Sequence, residues 1–197
     1  MTFRRGIGWL IDSAENPADC RRAWGNEPRN PYLIPTGETF DLISVDLRLG
    51  LKTADLLRRR RLPLGPVALD YSARRAGFLL PPGSRDTFER LVFLETLRAP
   101  QYRYLDEGSF AVLPGPVALA ADCHQWLISP PYRPTPELRQ ATALALMLVA
   151  AAELLRRADR FGDTPPPSAP TADQTDSADF MDAVDTALKR MAMNSAH

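Results

Sequence analysis

The chain has 197 residues, 45% hydrophobic and 24% charged, with 24 basic side chains against 24 acidic ones. That length supports one globular core, and zero net charge gives no global pull toward nucleic acid or membrane. Its two cysteines, Cys20 and Cys123, exclude a disulfide framework and have no neighbours at zinc-ligand spacing, so they read as buried free thiols and no metal is expected.

The opening residues, MTFRRGIGWLID, hold too short an apolar run for a secretory signal, and Ile7–Ile11 reads as strand-like. Asn16 and Pro17 cap and start a short helix that closes at Gly25. In Tyr32–Leu47, YLIPTGETFDLISVDL, a Pro35-Thr36-Gly37 turn leads into an apolar strand ending at Asp46. Thr53 is the expected cap of a helix that Pro63 stops. The runs 66–72 and 77–80 read as a hairpin turning at Ala73-Arg74-Arg75-Ala76. A helix over Arg85–Arg98, capped by Ser84, carries an apolar stripe of Phe88, Leu91, Val92 and Leu94. Ser109–Leu113 and Gln125–Ser129 are strands, and the longest helix runs from Thr135-Pro136-Glu137 to about Arg160. The apolar stretch Ala141–Ala152 within it is short of a membrane span, so the protein is expected to be cytoplasmic, with no membrane partner. This mixed order gives an α+β domain over residues 1–161, a mixed sheet flanked by helices.

From Gly162 the composition changes to GDTPPPSAPTADQTDS, too rich in proline and small polar residues to bury a core. The charge divides there also: residues 1–161 hold 22 basic against 18 acidic side chains, and 162–197 hold 2 against 6. A disordered linker over 162–176 is therefore expected, then an amphipathic helix in 177–197. Phe180, Val184, Leu188 and Met191 lie on its apolar face, and its acids and bases are placed as the helix dipole favours.

Gly8-Trp9, Pro35-Thr36-Gly37, the strand FDLISVDL, the hairpin around Tyr71–Pro81, GSFAVLPGP at 108–116 and WLISPP at 126–131 together resemble the bifunctional primase/polymerase domain of the archaeo-eukaryotic primase superfamily. The likeness is greatest to its short stand-alone actinobacterial members, and it covers roughly Gly8 to Ala158. The resemblance implies two carboxylates at i and i+2 on a strand, which share a face and bind divalent cations, a histidine on the adjacent hairpin and a further acid. Asp46 falls on the first carboxylate and Arg48 on the second, where a guanidinium repels metal. Asp41 points to the other face, the hairpin histidine falls near Ala76 or Gly77, and Asp106 or Glu107 is the candidate further acid. Polymerase chemistry is thus not expected, and Asp46 is a remnant.

Arg48, Arg74 and Arg75, with Arg58–Arg61, are candidates for a phosphate or nucleic-acid face; for Arg58–Arg61 the rival is the solvated end of a helix. Thr36 and Gly37 can offer backbone N–H groups to a ligand or simply make a tight turn. Asp46 is either a leftover ligand or the ion-pair partner of a nearby arginine. The adjacent Cys123 and His124 point to opposite faces and make no nucleophile–base pair. No hydrolase elbow, Walker loop or dinucleotide fingerprint is present, so no cofactor is implied. The sequence supports a degenerate primase/polymerase-like module binding a nucleotide, a nucleic acid or a protein. Its rivals are an active metal-dependent nucleotidyltransferase using Asp46 and a structural assembly protein. The apolar face of the end helix would bind a protein partner or a second copy.

Overall fold

In the computed structural model, which describes residues 7–119, 121–131 and 138–163, alternating apolar runs build two antiparallel sheets with helices on either side. The larger sheet is assembled from β2 (Asp41–Asp46), β3 (Val67–Asp70), β4 (Arg75–Leu80), β5 (Tyr102–Leu105) and β7 (His124–Ile128), in the order β5-β2-β4-β3-β7. The smaller pairs β1 (Tyr32–Pro35) with β6 (Phe110–Leu113). The helices are α1 (Gly8–Asp12), α2 (Pro17–Asn26), α3 (Leu47–Arg59), α4 (Arg85–Glu95) and α5 (Leu138–Asp163). The fold is α+β, as its sequence pattern implies, and every described strand pairing is antiparallel. The chain divides between Asp159 and Arg160. The expected linker and amphipathic helix, with Phe180, Val184, Leu188 and Met191, lie outside the described residues, apart from residues 162 and 163, which continue α5.

Strand alternation sorts the two cores. Ile43, Val45, Ala76, Phe78 and Leu80 face α3, α4 and α5, whereas Leu42, Ala68 and Leu79 face Trp24, Cys20, α1 and the β1–β6 pair. Each fully buried Leu or Phe contributes roughly 1.5–3 kcal/mol. Leu49, Thr53 and Leu57 fall on one stripe of α3, together with Gly50 and Ala54. At Gly50 the helix lies so close to the sheet that a Cβ would collide with the methyl of Ala76.

Four elements differ from the sequence reading. Ile7–Ile11 lies within and just before helix α1, because Ile7, Leu10, Ile11 and Ala14 are buried at helical rather than alternating spacing. Helix α3 starts at Leu47, six residues before Thr53, whose hydroxyl instead donates to the Leu49 carbonyl inside the helix. Its end is a left-handed residue, Arg61 (φ 54°), with the Leu62 N–H returning to the Leu57 carbonyl, a closure usually made by glycine. Helix α4 stops at Glu95, and Leu94 is exposed rather than part of its buried stripe. Strand β5 was not foreseen; its YRYL alternation was the available signal. The hairpin β3–β4 forms as expected, but its turn is residues 71–74 rather than 73–76, so Arg75 and Ala76 belong to β4; the Asn16 cap, which accepts the Asp19 N–H at 3.2 Å, matches expectation.

Candidate functional site

Beyond the cover provided by α1, α2 and the small sheet, one face of the large sheet turns polar. Register places Asp46, Arg75, Asp70 and His124 directly across β2, β4, β3 and β7 from one another, so the four side chains start from the same face. The neighbouring row carries Arg103, Ser44 and Gly77 across β5, β2 and β4. At Gly77 the place of a side chain is taken by the packed side chain of Leu42.

Asp46 sits where β2 becomes α3. Its Oδ1 accepts the backbone N–H groups of Arg48 at 2.9 Å and Leu49 at 3.4 Å, which makes it the N-cap of α3. This corrects the expectation of an ion pair between Asp46 and an arginine: among the described residues, the carboxylate serves the helix. It also corrects the placing of Arg48 on a strand. The strand has ended, so i and i+2 do not share a sheet face here. The Arg48 guanidinium reaches Asp159 at 2.8 Å, with both groups half exposed.

Arg75 is held by neutral partners. Its Nε donates to the Ser44 hydroxyl at 3.0 Å and its Nη2 to the Ser44 carbonyl at 2.7 Å. Ser44 thus fixes the guanidinium without cancelling its charge. Arg103 is exposed, and with Arg75, Pro100, Gln101 and Tyr102 it lines an open pocket of about 390 Å³. Arg74 stands exposed at the adjoining turn in a left-handed conformation (φ 54°). Its carbonyl accepts the Leu47 N–H at 2.8 Å, which ties the hairpin tip to the start of α3.

Thr36 and Gly37 are not available in the way the sequence suggested. The Thr36 N–H bonds to the Ser109 carbonyl, its hydroxyl to the Asp106 carbonyl, and the Gly37 N–H to the Phe40 carbonyl. Gly37 has φ of 100°, and a Cβ there would run into the backbone of Glu107. The turn is a packing device between the two sheets.

The further acid is also placed elsewhere. Asp106 accepts from Arg85 Nε at 2.6 Å, beyond the Leu105 end of β5, and Leu105 pairs with Leu42 rather than with the Asp46 end of β2. That separation is roughly 13 Å along the strand. Asp41 does face the opposite side from Asp46. It is buried beneath α4, where its Oδ2 accepts from the Tyr104 hydroxyl at 2.7 Å and the Ser84 N–H at 3.1 Å. Burial, then that hydrogen bond, push the Tyr104 hydroxyl far above its usual pKa.

Sequence reasoning missed Asp70, Ser44 and Arg103 and weighed His124 only beside Cys123, because their convergence depends on strand order. Asp70 lies 3.4 Å from His124 Nε2 and accepts from the Ser72 hydroxyl and the Ala73 N–H. Burial pushes its carboxyl up, but these hydrogen bonds and the imidazole outweigh it and hold the group below the usual range. Cys123 is exposed, in contrast to the buried thiol expected, while Cys20 is buried. Among the described residues, no three His, Cys, Asp or Glu side chains are grouped to hold a metal ion, and no helix is long and apolar enough to cross a membrane. No family model, curated protein or solved structure matches the chain.

Proposed function

We propose that this chain is a catalytically degenerate primase/polymerase-like domain whose polar sheet face binds the phosphate groups of a nucleotide or nucleic acid without transferring them. The observation that carries the reading is the pair Arg75 and Arg103 on one open pocket, with Arg75 oriented by Ser44 rather than by a carboxylate. Two guanidiniums that keep their charge form a fork suited to a phosphate. Asp46 and Asp70, in register on either side of Arg75, disfavour an anion over the hairpin and direct it toward Gln101 and Arg103. The capping role of Asp46 supports the non-catalytic reading, since one of its two oxygens accepts two backbone N–H groups and Arg48, not a second carboxylate, follows at i+2. Binding of a protein partner or a second copy through Phe180, Val184, Leu188 and Met191 is a separate proposal that rests on the sequence pattern alone.

The test is titration of a nucleoside triphosphate and of single-stranded DNA at two salt concentrations, with wild type, Arg75→Ala and Arg103→Ala. Both substitutions should weaken binding, and each lost phosphate contact should lower the slope of log affinity against log salt by about 0.7 for a single strand. Binding that is absent, or indifferent to both substitutions, overturns the proposal. Metal-dependent primer extension that Asp46→Asn abolishes would establish the enzyme instead.

A further inference from the structure

A cavity of about 620 Å³ opens where β4 and β7 finish and β2 and β3 begin, at the end of the large sheet away from Asp46 and Arg75. Arg75 and Leu80, roughly 17 Å apart along β4, mark the two ends. The volume is within the range that small-molecule sites occupy. Trp9, Phe40, Leu64, Leu80 and Ile128 form much of its apolar wall, with Trp9 and Phe40 edge to face at 6.0 Å between ring centres. The loops around it carry Pro63, Pro66, Pro81, Pro82 and Pro131, which bring carbonyls but no N–H groups.

The hydrogen-bonding groups left over have one sense. The Trp9 indole N–H donates to the Pro131 carbonyl at 3.1 Å, and Gln140 Nε2 donates to the Leu79 carbonyl at 2.7 Å. A carbonyl only accepts, so it fixes which end of the Gln140 amide is nitrogen. That amide lies against Gly65, where a Cβ would strike it. What remains are acceptors: Gln140 Oε1 and the carboxylate of the exposed Glu38, neither with a partner among the described residues. Thr39 and Ser129 add hydroxyls that serve either way, and no described Lys, Arg or His lines the cavity. An anion would meet Glu38 with no cation to offset it. A pure hydrocarbon would displace water from the acceptors and leave them unpaired. A protonated amine on an apolar body satisfies both, and the Trp9 ring adds a cation–π surface. We infer that this cavity binds an apolar amine, a ligand distinct from the phosphates of the polar face.

Saturation-transfer NMR titration of the full chain tests this with two probes, tryptamine and indole-3-propionate, whose two-carbon chains end in an ammonium and a carboxylate. Wild type should bind tryptamine with a Kd on the order of 1 mM or tighter, as a ligand of that size allows. Indole-3-propionate should bind at least about tenfold more weakly, because the carboxylate is repelled by Glu38 and finds no cation. Glu38→Lys, at an exposed position, should weaken tryptamine at least about tenfold through loss of a hydrogen bond to a charged group. Gln140→Met keeps the length of the side chain and removes Oε1, and should weaken tryptamine severalfold. Equal binding of the two probes overturns the inference, since the cavity would then read only the apolar ring. No binding of tryptamine at about 10 mM overturns it, and so does tryptamine binding indifferent to both substitutions.

Discussion

The Asp46 carboxylate accepts the backbone N–H of Arg48 at 2.9 Å, while the Arg48 guanidinium reaches 111 residues along the chain to Asp159. The two side chains that invite reading as a site are thus engaged in joining β2 to α3 and α3 to the end of α5. Losing the cap should cost about 1 kcal/mol in Asp46→Ala, whereas Asp46→Asn, an equally good cap, should stay within a few tenths. Urea denaturation measures both. Equal losses from the two variants would show that charge rather than capping is what Asp46 provides.

Ser44 is expected to act as a positioning residue for Arg75. Ser44→Ala removes the acceptor of Arg75 Nε but leaves the carbonyl bond to Nη2, so phosphate affinity should fall about tenfold or more, by the roughly 1.5–3 kcal/mol of one hydrogen bond to a charged group. Ser44→Thr should retain much of the affinity. If affinity and salt slope are unchanged in Ser44→Ala, the guanidinium is held by other means.

Two left-handed residues invite opposite substitutions. Arg61, at the end of α3, carries the steric penalty that glycine escapes, so Arg61→Gly should stabilise the protein by about 1 kcal/mol, less what glycine adds to unfolded-chain entropy. Gly37 combines a positive φ with backbone packed against it. Gly37→Ala should therefore cost more than about 1 kcal/mol, since strain and collision add. Thermal unfolding of the two variants would order them on either side of wild type.

The thiols should separate cleanly under a disulfide reagent. Cys123 is exposed and should react in the native state, whereas Cys20, with no exposed surface, should react only on unfolding. Burial pushes the Cys20 thiol up to about 11 from its ordinary value of 9.0. A pKa raised on folding adds stability that is complete below the unfolded value and is lost as pH climbs through the folded one. Tyr104 acts in the same sense from about pH 10 upward. Stability should accordingly fall as pH rises above 9, as urea midpoints across the alkaline range would show. A flat profile would mean that neither group is desolvated by folding.

What the sequence made legible was local. The Asn16 cap, the β3–β4 hairpin and strands β6 and β7 are each written in a few neighbouring residues, where alternation or a capping side chain is enough. Ile7–Ile11 misled because a run of five apolar residues suits either period; only the further burial of Ala14 marks the helix. Thr53 has the chemistry of a cap but sits on the buried stripe of α3, and Asp46 was free to take that role. The site was least legible. Arg103 lies 59 residues from Ser44, and His124 is 54 residues from Asp70; β5 and β7 bring each beside its neighbour through pairings that no local pattern encodes.

Strand β1 has its only described sheet partner in β6, about eighty residues further along the chain. At a synthesis rate of roughly 5–20 residues per second, some four to sixteen seconds separate the emergence of the two strands from a ribosome. Through that interval Ile34 lacks its cross-strand neighbour Ala111, and Leu113 is not yet there to pack beside Trp24. Residues 7–35 are made well before β6 and complete their layer late, so this segment is where a chaperone has most to protect.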